Sequence, residues 1–206
     1  MDPLICARCA ALVSLPQVPS DPVVCRECGH RQVFLRQPLY CLTGPSGTGK
    51  STLARVLLPR LSGEFVVLEQ DVLWLAELSD PAGNYRLFRS TWLRLAAMIG
   101  QNGRPVLICG TVVPPELEPL PERALFSDVH YLALTCRADV LAQRLRARPG
   151  WREWDEPRIA EMLGFARWLD TAAATLHPPV TLLDTTDRTV EGTAQAVCHW
   201  LARHTR

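Results

Sequence analysis

With 206 residues, 48% of them hydrophobic, the chain can bury one full core and a small appendage, so one enzyme-sized domain is expected. Its 22 basic side chains face 21 acidic ones, which excludes a basic field that would by itself attract nucleic acid. No apolar run reaches membrane-spanning length, and Met1-Asp2-Pro3-Leu4 lacks the basic and apolar regions of a signal peptide, so a cytoplasmic protein with no membrane partner is expected.

The eight cysteines fall into two groups. Cys41, Cys109, Cys136 and Cys198 sit in or beside apolar segments and are expected as buried thiols. Cys6, Cys9, Cys25 and Cys28 form C-x2-C…C-x2-C, the arrangement of a four-thiolate zinc site; two disulfides are the alternative, which a cytoplasmic chain disfavours. From residue 1 to about 37 large apolar side chains are too few to make a core, and Zn2+ would supply the missing folding energy. The segment resembles a zinc ribbon, with Cys25-Arg26-Glu27-Cys28-Gly29 as its second knuckle and Val33-Phe34-Leu35 as the following strand. The Pro-rich run from Val13 to Pro22 suits a turn-like excursion between the knuckles, and His30 and His204 are read as solvated rather than as ligands. The resemblance implies either a contact module for nucleic acid or protein, or a purely structural cap.

Leu39-Tyr40-Cys41-Leu42-Thr43 is an apolar strand that runs into Gly44-Pro45-Ser46-Gly47-Thr48-Gly49-Lys50-Ser51, the pattern G-x4-G-K-S. Gly44 and Gly49 let the chain turn tightly and bring backbone N–H groups against a phosphate, at the N-terminus of a helix that continues through Thr52. In this motif Lys50 reaches the β and γ phosphates of a nucleoside triphosphate, and Ser51 offers its hydroxyl to Mg2+. A strand before and a helix after separate the motif from a glycine-rich turn that matches by chance. On these residues the chain, from Leu39 onward, resembles the P-loop kinase superfamily, specifically the small nucleotide, nucleoside, shikimate, gluconate and antibiotic kinases. The resemblance implies ATP as phosphoryl donor with Mg2+, and a small-molecule acceptor.

Pro59 stops or kinks the first helix near Leu58. The strand Phe65-Val66-Val67-Leu68 then delivers Glu69-Gln70-Asp71 to its C-terminal end, the edge where an open α/β sheet binds ligands. In hydroxyl-phosphorylating relatives an acidic residue here accepts the acceptor's proton or organises the metal, which makes Asp71 the candidate; a cap for a helix beginning Val72-Leu73-Trp74-Leu75 is the plainer reading. Residues 84 to about 99 read as a helix with Leu87, Thr91, Leu95 and Met98 on one face and Arg86 and Arg89 on another. The resemblance puts this region over the acceptor. Trp74, Arg86 and Arg89 are therefore candidates for holding an anionic or flat aromatic part of it, the alternative being a solvated basic face with a core tryptophan.

Val106-Leu107-Ile108-Cys109-Gly110-Thr111 reads as a buried parallel strand. Many P-loop NTPases end this strand with an Asp for Mg2+; here Gly110 and Thr111 stand there, which counts against a motor-type ATPase, resembles shikimate-type kinases and shifts the metal to Ser51, Asp71 and water. The strand from Val129 to Leu134 precedes a helix of about residues 138–148, whose Arg144 and Arg148 resemble the R-x3-R entry to the lid of nucleotide kinases. On closure Arg144, Arg148 and Arg152 would stabilise charge around the transferring phosphoryl group; an exposed basic helix is the alternative. Asp155 can cap a helix whose Ile159, Met162, Ala166, Leu169, Ala173 and Leu176 form a core-facing stripe. After the strand Val180-Thr181-Leu182-Leu183, the run Asp184-Thr185-Thr186-Asp187 resembles the loop that borders the adenine, and a last helix turns Val190, Ala194, Val197 and Leu201 inward.

The alternation of strand and helix from Leu39 gives about five parallel strands flanked by helices. The expected architecture is α/β: a three-layer α/β/α P-loop sandwich over residues 38–206, with a lid around 144–155, carrying a zinc ribbon over 1–37. The expected function is an ATP- and Mg2+-dependent kinase for a small molecule, first of all a nucleoside or nucleotide. Asp71 tilts this toward a hydroxyl acceptor, whereas Arg86 and Arg89 tilt it toward an anion. One alternative is an RNA or DNA end kinase that grips its strand through Arg8, Arg26, Arg31 and Arg36 of the ribbon, and another is a nucleotide-binding regulatory module with no transfer chemistry.

Overall fold

The structure, a computed structural model, describes residues 4–13, 15, 23–80 and 82–205. Met1 to Pro3 and most of the Pro-rich run, with its turn-like reading, lie outside the described residues. Two short strands, β1 (Val23–Val24) and β2 (Arg31–Gln32), pair antiparallel on either side of the second cysteine knuckle. Strand and helix then alternate: β3 (Leu39–Thr43), α1 (Lys50–Leu61), β4 (Val66–Glu69), α2 (Arg86–Gly100), β5 (Val106–Cys109), α3 (Pro114–Leu117), β6 (Val129–Thr135), α4 (Ala138–Arg146), α5 (Glu156–Ala172), β7 (Val180–Asp184) and α6 (Val190–His204).

The last five strands bond in the order β4-β5-β3-β6-β7, every pair parallel. Leu39 is level with Val106 and Val129, and Val66 with Val106, so these strands start along one edge and deliver their C-terminal residues to the other. The two-residue period of a strand decides which core each side chain enters. From β3, Leu39 and Cys41 join a core completed by α2 and Leu169 of α5, whereas Tyr40 and Leu42 join one built with Leu53 and Leu57 of α1 and Val197 and Leu201 of α6. The result is the three-layer α/β/α sandwich.

Several elements depart from the sequence expectation. On α2 the buried face is Phe88, Trp92, Leu93, Ala96 and Ala97, while Leu87 and Leu95 are exposed. Helical spacing admits either set, and the aromatic set wins because burying a residue such as Trp92 is worth about 3 kcal/mol. The rotation also separates the two arginines: Arg86 is exposed, but Arg89 is buried. No helix begins at Val72; Gln70–Leu73 and Ala76–Leu78 are short 3-10 turns. The α5 stripe holds at Ile159, Ala166, Leu169 and Ala173, with Met162 and Leu176 half-buried, and Asp155 caps that helix by accepting from the Arg158 N–H at 2.9 Å. On α6, Trp200 is buried alongside Ala194, Val197 and Leu201, and Val190 is exposed. Cys41 and Cys109 are buried as expected, but Cys136 and Cys198 are half-buried. His204 is not simply solvated, since its ring packs 4.9 Å from Trp200 and 4.8 Å from His130.

The N-terminal segment attaches where the strands begin. The Leu35 N–H donates to Gln101 Oε1 at 3.1 Å, Gln101 Nε2 donates back to the Leu35 carbonyl at 2.9 Å, and Arg36 Nε donates to the Ala124 carbonyl at 3.1 Å. Leu4 and Phe34 pack on the core beneath. Among the described residues no helix is long and apolar enough to cross a membrane.

Candidate functional site

At the opposite edge, β3 turns sharply into α1. Gly44 has φ 125°, and a Cβ there would lie 2.3 Å from the Leu134 carbonyl oxygen of β6, so only glycine lets the loop leave the sheet this closely. The Pro45 carbonyl accepts from the Thr48 hydroxyl at 2.9 Å and from Lys50 Nζ at 3.0 Å, and the Gly44 carbonyl accepts from Lys50 Nζ at 2.5 Å. Lys50 therefore lies folded over its own loop. Burial pushes its pKa down to about 8, against an upward pull from Asp71 and with a further push from Arg148. The charges of Asp71 and Arg148 are thus both felt at Lys50.

Ser51 Oγ donates to Glu69 Oε1 at 2.5 Å. Glu69 is the residue that sequence reasoning passes over in favour of Asp71. Its signal is the Glu-x-Asp exit of β4, where Glu69 ends the strand and Asp71 enters the 3-10 turn. Asp71 is not the cap of that turn, because Glu69 holds the cap position and no side-chain cap bond forms. Between them Gln70 is buried, and its Oε1 accepts from the Thr111 N–H at 2.8 Å. A Cβ on Gly110 would fall 2.1 Å from that oxygen, so the glycine ending β5 makes room for the side chain that ties β4 to β5.

A cavity of about 310 Å³ opens beside the loop. Of the residues expected there, Gly47, Thr48, Gly49, Thr52, Arg144, Arg148 and Thr185 line it. Arg144 donates to the Thr185 carbonyl at 3.2 Å, and the Thr185 hydroxyl bonds the Thr135 carbonyl at 2.9 Å. Arg188, Val190 and Thr193 also line the cavity, and no sequence pattern marks them, because the start of α6 reaches the loop only through the tertiary fold. Gly44, Pro45, Ser46, Lys50 and Ser51 lie outside the lining, as do Asp184 and Thr186. These last two close on each other: Asp184 Oδ1 accepts from the Thr186 N–H at 2.8 Å and from its hydroxyl at 2.6 Å.

The arginines around α4 divide. Arg144 and Arg148 reach the cavity, while Arg146 turns away to Glu156 at 2.7 Å. The Arg148 guanidinium lies 5.3 Å from the Trp154 ring centre, and Arg152 lies 4.6 Å from that of Trp151. Burial lowers the pKa of Arg148, with Arg152 adding to the effect. Three residues after Asp71, Trp74 stands beside the rings of Tyr85 and Phe88 at 5.2 and 5.0 Å. Arg89 does not stand open next to it. Its guanidinium is held by Glu116 at 2.5 Å and by the Asn84 carbonyl, which corrects the expectation that Arg89 is free to bind an acceptor.

In the N-terminal segment Cys6 and Cys28 bring their sulfurs to 3.7 Å, Cys9 and Cys25 theirs to 3.6 Å, and all four lie within 4.8 Å of one another. A tetrahedral zinc with Zn–S of about 2.3 Å needs sulfurs about 3.8 Å apart, whereas a disulfide needs about 2.0 Å. The donor set therefore fits Zn2+ and rules against the disulfide alternative. His30 is not in the cluster.

The family model described as AAA domain matches residues 41–162. A zinc-ribbon model described as DNA directed RNA polymerase, 7 kDa subunit, matches residues 4–35. No curated protein matches the chain. Among solved structures, a gluconokinase from Sinorhizobium meliloti 1021 is similar at 18% identity with a TM-score of 0.54, over 84% of this chain and 94% of that one. A chain from Chloroflexus aurantiacus j-10-fl is similar at 18% identity with a TM-score of 0.53, over 84% and 99%. At such identity the likeness shows the fold alone, an open parallel sheet with helices on both faces.

Proposed function

Because the chain belongs to the AAA domain family, with a match that spans both the P-loop and the arginines of α4, we propose that it is a kinase. It transfers the γ-phosphoryl group of ATP to a hydroxyl of a small molecule, of the nucleoside or nucleotide kind. The observation that carries this reading is the 2.5 Å bond from Ser51 to Glu69, which sets the exit of β4, with Asp71 just beyond it, against the loop that holds Lys50. A binding module would need the loop and its lysine but no carboxylate set against them.

The roles follow from charge. The loop from Gly44 to Ser51 cradles the phosphates, and Thr52, Arg144 and Thr185 border the cavity in which the nucleoside part of the donor sits. Asp71 takes the proton of the acceptor hydroxyl as that oxygen forms a bond to the γ phosphorus. The bond from phosphorus to the β-bridging oxygen breaks, and ADP leaves with its electron pair. Lys50 and Arg148, joined by Arg152 on lid closure, stabilise the charge on the transferring oxygens. Ser51, Glu69 and Asp71 offer the oxygen donors that Mg2+ requires, and the ion would neutralise the triphosphate there. Zn2+ on Cys6, Cys9, Cys25 and Cys28 is structural, because four thiolates leave it no open position. Free thiols at Cys41, Cys109, Cys136 and Cys198 suit a reducing, cytoplasmic setting.

The test is a panel of nucleosides, nucleoside monophosphates, sugars and antibiotics incubated with γ-labelled ATP. Labelled product is expected from at least one acceptor and none from Lys50→Ala; no transfer to any of them sinks the reading. One observation favours a second reading, a polynucleotide end kinase. The zinc-ribbon match belongs to an RNA polymerase subunit, and Arg8, Arg26 and Arg31 are exposed on this segment. It predicts oligonucleotide binding that weakens steeply with salt and disappears without the ribbon.

A further inference from the structure

Resting on the kinase reading, we infer that the acceptor is an uncharged alcohol carrying a flat ring, which stacks on Trp74 while its hydroxyl lies at Asp71. An acceptor bearing phosphate or carboxylate is selected against.

The platform is the first support. Trp74 is 59% exposed, although the rings of Tyr85 and Phe88 pack against it at 5.2 and 5.0 Å. Its backbone N–H donates to the Asp71 carbonyl at 3.0 Å, so the indole follows the candidate base by a single 3-10 turn. An aromatic ring braced by two others and still largely exposed offers a rigid stacking surface at little entropic cost. The same stretch leaves Val72, Leu75 and Leu87 exposed, surroundings that suit a ring better than a polyol.

Charge is the second and independent support. Between residues 69 and 89, apart from Glu69 and Asp71, which face the proposed Mg2+, Glu77 and Asp80 stand against Arg86 and Arg89. Arg89 is neutralised by Glu116. Behind it Arg94 pairs with Glu122 at 2.9 Å and Arg123 with Glu118 at 2.8 Å. Three cations that a sugar acid or a phosphate monoester would need on this side, Arg89, Arg94 and Arg123, are already used inside the protein, and Arg86 is matched in the sequence by Glu77 and Asp80. Lys50 and Arg148 serve the transferred group instead. A nucleoside has the required chemistry, and its monophosphate does not.

The test offers the full chain γ-labelled ATP with adenosine, uridine or pyridoxine, with the two nucleoside 5′-monophosphates, and with gluconate. At least one uncharged ring alcohol is expected to exceed every anionic acceptor in kcat/KM by about tenfold or more. Trp74→Ala should raise its KM about tenfold with kcat held within about threefold, and Trp74→Phe should restore most of the loss. Because Trp74 is largely exposed, the alanine variant is expected to fold. Preference for a monophosphate or gluconate, or an unchanged KM in Trp74→Ala, overturns the inference. Calorimetric titration of the same panel without ATP separates the two failures. Binding of an uncharged ring alcohol that Trp74→Ala weakens, with no transfer, overturns the kinase reading alone. No binding by any uncharged member overturns this inference.

Discussion

The two edges of the sheet are held by different physics. Where the strands begin, the buried centre of the cysteine segment among the described residues is Cys6, Val13, Val23 and Cys25, with Ala11, Cys28 and Phe34 against it, so small a core that the proposed thiolate–zinc bonds would have to supply the rest. Where the strands end, the phosphate loop is shaped by main-chain bonds and by Gly44 against β6, and it is carried by strands whose Tyr40, Leu42 and Leu107 are fully buried. On the proposed reading the phosphate loop takes its rigidity from the sheet and the ribbon takes its rigidity from zinc. One strand of five residues, about 16 Å, separates the two edges, so each can be broken alone.

The largest expected effect breaks only the transfer edge. Lys50→Ala removes the charge aimed at the transferring phosphoryl group and should lower turnover by about 10³-fold or more, with melting temperature and zinc content unchanged. Steady-state kinetics beside a melting curve and metal analysis read all three. Loss of zinc in this variant would mean that the edges are coupled.

Asp71→Asn sharpens the same edge by separating chemistry from binding. The chemical step should slow by about 10²- to 10⁴-fold, while ATP affinity measured without Mg2+ stays as it was. Partial recovery at high Mg2+ would assign Asp71 to the metal rather than to the proton, and an unchanged rate at saturating acceptor would remove it from both roles.

Arg89→Ala tests whether the cations beside the transfer edge are structural. Burial already raises the pKa of Glu116, and one of its carboxylate oxygens has no partner, so losing Arg89 should destabilise the fold by about 3 kcal/mol. Denaturant unfolding reads that loss, and acceptor KM should not move. A raised KM with stability intact would return Arg89 to the acceptor site.

How legible each part is in the sequence depends on whether its cause is local. The phosphate loop and the cysteine pairs are set by residues adjacent in the chain, and both can be read from spacing alone. The buried face of α2 cannot, because Leu87 with Leu95 and Phe88 with Trp92 share one helical period, and only the sheet beneath chooses between them. Arg89 misleads for a related reason, since its partner Glu116 lies 27 residues away. Glu69 is legible by position but eclipsed by Asp71; Arg188 and Val190 carry no local signal at all.

A smaller effect concerns pH. Burial pushes Lys50 down to about 8, and phosphates bound beside it would restore its charge. Below about pH 8 the lysine is already charged and ATP affinity should be flat. Above it, binding must take up a proton, so affinity should fall as pH rises, by at most about tenfold per unit. A titration flat to about pH 9.5 would show that burial does not depress Lys50.

The smallest expected effect lies at the other edge. Purified protein should carry about one zinc per chain, and Cys25→Ser or a strong chelator should remove it. The knuckles then lose their order, and the melting temperature falls as Leu4 and Phe34 leave the core they share with the sheet. Turnover on a small acceptor at 25 °C should nevertheless stay within about twofold, because the attachments at Gln101 and Ala124 lie where the strands begin and none of them touches the loop from Gly44 to Ser51. A tenfold loss would break the comparison of the two edges. Loss of transfer to an oligonucleotide, with the small acceptor spared, would instead identify the ribbon as the grip of a polynucleotide kinase. In that case the strand would have to pass from one edge of the sheet to the other, over about 16 Å, a span of about five nucleotides at about 3.4 Å each. Oligonucleotides shorter than that span should then lose the benefit of the ribbon and be phosphorylated equally well with or without zinc.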